Sequence, residues 1–264
     1  MRWWAALGAV AALVCGVVVG PAAAQTAAAD APGAWPGAWP GDAALRPASS
    51  INAVLVQSQQ WRLAQRPVAD AGSERAARVR ASFERLLSLQ PAGGPAELVL
   101  VGGDLYAEAL FGRRAVAVSE NVGDLGEGER LMLLAHELGH LALGHWATLS
   151  TLYRQHIPGE VTPEATAPVA AALGAQAHLL SHKQEFEADA FGYTLVHPLG
   201  FGVDTAMALL LRHGVQMDSA THPGTRRRVA QLRVLDAQIG HEALHGGPAE
   251  AVAGGAGAMA VSAR

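Results

Sequence analysis

Residues 129–146 read Glu-Arg-Leu-Met-Leu-Leu-Ala-His-Glu-Leu-Gly-His-Leu-Ala-Leu-Gly-His-Trp. Leu131, Leu134, Ala135, Leu138 and Leu141 recur at spacings of three and four, which predicts one helix with a broad apolar face from Glu129 to Trp146. Inside it lies His136-Glu137-Leu138-Gly139-His140, a His-Glu-x-x-His pattern. Four residues turn a helix by about 400°, so both imidazoles leave one face and can reach one Zn²⁺. Glu137 stands beside them and can take a proton from a water that zinc activates.

A catalytic zinc usually has three protein ligands and one open position. The third comes from Glu185-Phe186-Glu187-Ala188-Asp189. Glu185 and Asp189 are four apart and share a helical face; Glu185 can bind the metal while Asp189 accepts a hydrogen bond from a ligand histidine. Glu187 points away, and by itself an acidic run of this kind solvates a helix. His241-Glu242-Ala243-Leu244-His245 repeats the His-Glu-x-x-His pattern. It runs straight into Gly246-Gly247-Pro248 with only Glu250 beyond it as a ligand, so it reads as a surface coincidence. His145, five residues past His140, is expected to point away from the ligand face in a structural role. His178 and His182 share a face with Glu185 and read as satisfied or solvent-facing.

The N-terminus opens with Met1-Arg2-Trp3-Trp4, continues as an apolar stretch from Ala5 to about Val19, and reaches Ala22-Ala23-Ala24 before Gln25. That is the layout of a secretory signal peptide cleaved after Ala24, with a retained anchor as the alternative. The one cysteine, Cys15, falls inside this stretch, so the mature chain has no thiolate for a metal or a disulfide. The formal charge of −4 over 264 residues, without a basic run, speaks against nucleic acid. No stretch after the signal reaches the roughly 18–20 apolar residues that span a membrane. The expected organisation is therefore a signal peptide over 1–24, an Ala/Pro/Gly-rich linker over 25–50 with the repeat Gly33 to Gly41, a catalytic domain over 51–245 and a disordered tail over 246–264.

Further helices are expected over Ser73 to Leu89, with Ser73 as cap, over Ala170 to about Val196 with a break near Ser181, over Asp204 to His213 and over Arg226 to Ile239. Glu97 to Val101 reads as a buried strand and Ala115 to Ser119 as a second, with Val116 and Val118 on one face.

His136 to His140, followed by Glu-x-x-Ala-Asp at 185–189 with Phe191-Gly192, and then by Thr221-His222-Pro223 and Arg226, resembles the HtpX/BepA-like family of gluzincin zinc metallopeptidases. The likeness runs from about Ser73 to Leu235. It implies an α+β, mostly helical, zincin-like metallopeptidase domain with a small β-sheet whose edge strand flanks the active-site helix. Ala115 to Ser119 takes that edge place, and a peptide can join it as an added strand. The family often carries an Asn-Ala-Phe-like segment ahead of the edge strand, where this chain has Tyr106 to Phe111. The resemblance also makes His222 a candidate gate, transition-state stabiliser or loop-ordering residue, and Arg226 a weaker candidate for substrate or oxyanion contact.

The expected function is a periplasmic zinc-dependent endopeptidase in envelope protein quality control. It holds one Zn²⁺ on His136, His140 and Glu185, uses Glu137 and His222 in catalysis, and acts on proteins or peptides. The alternative is a zinc-bearing chaperone or assembly factor with little proteolysis; a further rival is a metal-binding module built on His178, His182 and the tail histidines. Substrate identity and oligomeric state are not written in the sequence.

Overall fold

The computed structural model describes residues 50–90, 94–212 and 214–245. The expected signal peptide, the tail 246–264 and all of the linker except residue 50 lie outside the described residues.

In chain order the elements are α1 (Ile51–Ala64), α2 (Glu74–Ser88), β1 (Glu97–Val101), β2 (Ala107–Ala109), β3 (Ala115–Ser119), α3 (Glu127–Ala142), α4 (His145–His156), the one-turn α5 (Pro163–Thr166), α6 (Ala170–Val196), α7 (Val203–Leu211) and α8 (Thr225–His245). This is a mostly helical α+β domain with a three-stranded mixed sheet, as expected of a zincin-like peptidase. No described helix is long and apolar enough to cross a membrane.

Sheet order corrects one expectation. The strands run β1-β3-β2, with β3 parallel to β1 and antiparallel to β2. Ala115–Ser119 is thus the central strand, paired on both sides and buried throughout. The edge next to the site is β2, a three-residue strand within Tyr106 to Phe111. β1 is only partly buried, since it forms the other edge. Period-two alternation sorts β3 between two cores: Val116 and Val118 enter the main core with Leu131, Leu134 and Tyr193, whereas Ala115 and Ala117 face Leu63 of α1.

Ser73 caps α2 as expected, its hydroxyl accepting from the Ala76 amide. Two helices differ from their predicted spans. The helix over 129–146 stops at Ala142, because Gly144 adopts a left-handed conformation (φ 67°) and α4 restarts in a new direction at His145. The helix over Ala170–Val196 is continuous through Ser181. α1, which no expected element covers, buries Ile51, Leu55, Gln59 and Leu63 on one face; Ile51 and Leu55 pack with Leu149, Tyr153 and Leu173.

The crossing of α3 and α6 sets the site. A Cβ on Gly192 would meet the His136 amide nitrogen at 2.9 Å, and one on Gly139 would meet the Ala188 Cα at 3.2 Å. Glycine at both positions lets the two backbones approach this closely. The histidine pair of α3 is thereby brought against the carboxylates of α6.

Candidate metal and catalytic centre

His136, His140 and Glu185 converge as expected. The two Nε2 atoms face each other at 3.2 Å, and the Glu185 carboxylate lies 3.5 Å from His136 Nε2 and 3.4 Å from His140 Nε2. One ligand atom from each of the three lies within 4.8 Å of the others, and this is the one such metal-capable group among the described residues. Two imidazole nitrogens and a carboxylate suit zinc. The fit has an independent sign: Glu185 Oε2 is buried and makes no hydrogen bond, with His136 Nε2 and Arg228 Nη1 standing off at 3.5 and 3.6 Å, and a buried polar atom of this kind suits an ion in the cradle.

Each histidine is oriented from behind. His136 Nδ1 lies 3.0 Å from Asp189 Oδ1, so Nδ1 carries a proton and Nε2 is the nitrogen turned inward, where a metal would take the place of its proton. Arg228 in turn grips Asp189, with Nε to Oδ2 at 2.7 Å and Nη2 to Oδ1 at 2.5 Å, a bidentate pair. Burial alone would raise the Asp189 pKa, but Arg228 and His136 bring it below the usual carboxylate value. Behind His140 stands His145, Nδ1 to Nδ1 at 2.9 Å. His145 is buried, and burial together with His140 and His136 lowers its pKa to about 3, so it is neutral. Its Nε2 lies 3.5 Å from Glu187 Oε2. A neutral His145 with its proton on Nε2, toward Glu187, accepts at Nδ1 from the Nδ1–H of His140. The expectation that His145 points away is corrected: it assumed one unbroken helix, whereas the turn at Gly144 swings the ring back.

Glu137 is buried beside the pair, and its Oε2 accepts from the Ala109 amide of β2 at 2.8 Å. Burial raises its pKa; His136, His140 and the Ala109 amide oppose this, and Glu185 adds to it. A carboxylate with a raised pKa is a stronger base.

His222 also reaches the site, with Nε2 3.5 Å from Glu185 Oε1. Burial lowers its pKa; Glu185 opposes and Arg228, His136 and His140 reinforce the shift. Its loop is tied to α6, since His182 Nε2 lies 2.9 Å from the Ser219 carbonyl and His178 Nδ1 lies 3.1 Å from the Ala220 carbonyl. His178 and His182 are satisfied by this loop and belong to no metal-capable group. Arg226 is exposed, and the arginine of the site is Arg228. The signal was present in the spacing: Thr225, Arg228 and Leu232 lie three and four apart and form the buried stripe of α8. The second His-Glu-x-x-His sits at the end of α8, where residues 241–244 are exposed.

The three candidate ligands, Glu137, His145, Asp189, His222 and Arg228 line one cavity of about 560 Å³, whose walls include β2, α7 and the His222 loop. Its walls include Met132, Leu133, Leu209 and the stacked pair Phe111 and Trp146, whose ring centres are 4.4 Å apart.

A helical domain of this topology, with an edge strand beside a His-Glu-x-x-His helix and an acidic second helix across it, defines a zincin-like metallopeptidase. The chain belongs to peptidase family M48, whose profile matches residues 73–236. M48 enzymes are zinc metallopeptidases acting on proteins or peptides. A comparison with curated proteins found no match.

Proposed function

We propose that this M48 peptidase is an HtpX/BepA-like endopeptidase of exported proteins, acting in the periplasm in envelope protein quality control. One zinc per chain would be held by His136, His140 and Glu185. The observation that carries the reading is the convergence of those three side chains within 4.8 Å, with the Glu137 carboxylate adjoining and tied to the edge strand. The exported location is supported by the signal-like residues 1–24, and the subfamily by the Glu-x-x-Ala-Asp and Thr-His-Pro motifs.

When bound, zinc acidifies water and polarises a carbonyl oxygen. Glu137 accepts the proton of the attacking water and returns it to the departing amine. Ala109 N–H fixes the Glu137 carboxylate at the edge of β2. Asp189 holds His136 in one tautomer and Arg228 holds Asp189. His222, whose Nε2 faces the same Glu185 oxygen as His140 does, would donate to charge that develops on the carbonyl oxygen.

The test is cleavage of an unfolded protein by the purified, zinc-loaded chain. Activity should vanish with a chelator and in Glu137→Gln, while that variant keeps its zinc. Full chelator-sensitive activity in Glu137→Gln would remove Glu137 as the base. Complementation of a deletion strain by Glu137→Gln as well as by wild type would favour the chaperone reading. N-terminal sequencing of exported protein should begin at Gln25.

A further inference from the structure

The edge strand beside the catalytic centre is already partly taken by a side chain of its own chain. The Tyr106 carbonyl accepts from the Ser119 amide at 2.9 Å, and the Leu110 amide donates to the Ala115 carbonyl at 2.8 Å. Positions 106, 108 and 110 therefore turn their backbone toward β3, and Ala107, Ala109 and Phe111 turn theirs outward, to the side a peptide would pair with. At Ala109 and Phe111 that side is sealed. The Ala109 carbonyl accepts from Gln59 Nε2 at 3.2 Å, and the Phe111 amide donates to Gln59 Oε1 at 2.8 Å. One amide thus bridges the carbonyl of one residue and the N–H two residues on, as a residue of an added parallel strand does.

Gln59 is fixed in this pose. Its Nε2 also donates to Glu108 Oε1 at 2.8 Å, a carboxylate further held by Arg62 at 3.1 Å and by the Tyr106 hydroxyl. A donor, the Phe111 N–H, on one side of the amide and two acceptors, the Glu108 carboxylate and the Ala109 carbonyl, on the other exclude the flipped orientation. Gln59 is buried, 2% exposed, and α1 is anchored on both sides by Leu55 and Leu63. α1 lies before the residues matched by the family profile, which begin at 73. Both outward-facing positions of β2, Ala107 and Ala109, line the cavity, and Gln59 bridges at Ala109 and not at Ala107.

We propose that Gln59 is a specificity-determining residue: it acts as a strand mimic that closes β2 beyond Ala109, so that a bound peptide pairs with this edge on one side of the scissile bond only. The proposal rests on the peptidase reading in that the edge receives a peptide.

The test uses the zinc-loaded full chain and two series of short alanine–leucine peptides ending in a hydroxamate, one extended N-terminally and the other C-terminally from the chelating group. The hydroxamate fixes the register, and affinity is read by competition, without cleavage. In wild type, one series should tighten on the order of fivefold when it gains the pair at Ala107, the worth of about one hydrogen bond, and the other should tighten less than about twofold on that scale. Gln59→Met, which keeps the volume and removes the amide, should let the second series tighten too. Equal gains in both series in wild type, or an asymmetry unchanged in Gln59→Met, would overturn the proposal. Hydrogen exchange at the Phe111 amide reads the same bridge with neither metal nor peptide: it should quicken in Gln59→Met, and equal protection would also overturn the proposal. Failure of the peptidase reading has a different signature, an intact asymmetry in a protein that cleaves nothing.

Discussion

His145 Nδ1 lies 2.9 Å from Nδ1 of His140, so the outward nitrogen of each histidine in the pair has its own partner: Asp189 for His136 and His145 for His140. Partners of this kind fix the tautomer and ring orientation of a ligand. His145→Ala should therefore weaken zinc binding by roughly 10- to 100-fold, read by competition with a calibrated chelator. His145→Asn, which keeps an acceptor near His140 Nδ1, should recover part of the loss. Unchanged affinity in His145→Ala would reduce His145 to a packing residue.

Arg228 and Asp189 form a buried ion pair, their side chains 11% and 2% exposed. Removing one partner of such a pair leaves a buried charge and costs about 3–5 kcal/mol. Arg228→Met should lose stability of that order in denaturant titration of the metal-free protein, whereas the exposed Arg226→Met should stay within about 0.5 kcal/mol of wild type. Similar losses in both variants would contradict the buried stripe of α8.

The metal-free protein should depend on pH through His136. Burial alone would lower its pKa, but the hydrogen bonds and charges of Asp189 and Glu185 outweigh this and raise it to about 10. A raised folded-state value means the added stability is fully present below the unfolded value of about 6.5 and is lost as pH rises through about 10. Chelated protein should therefore lose denaturant resistance over that window. Zinc-loaded protein should not follow it, since the metal replaces the proton, and neither should chelated His136→Gln. A flat profile for the chelated wild type would remove the carboxylate pair as the cause.

The parts of the site that follow from helical spacing were legible in the sequence. His136 and His140 share a face of α3, Glu185 and Asp189 share a face of α6, and the same arithmetic predicts both pairs. What spacing cannot reach is set by a break or by a contact between distant elements. His145 returns to the site because Gly144 turns left-handed, and an apolar pattern running unbroken past that glycine conceals the turn. β2 is three residues of alanine and glutamate whose pairing is decided by β3, so it carries no hydrophobic signature. α1 buries the polar Gln59 on its inner face because the β2 backbone satisfies the amide, and that burial breaks the apolar stripe by which a helix is read. The resemblance points to Arg226, whereas the spacing of Thr225, Arg228 and Leu232 marks Arg228 as the inward arginine.

Glu185 completes a cradle begun by two imidazoles. Anomalous diffraction at the zinc edge from crystals of the zinc-loaded protein tests this most directly. One strong peak per chain is expected, bonded to Nε2 of His136 and of His140 and to a Glu185 oxygen at about 2.0–2.2 Å. A peak elsewhere, or one at the imidazole pair with the Glu185 carboxylate turned away, would contradict it.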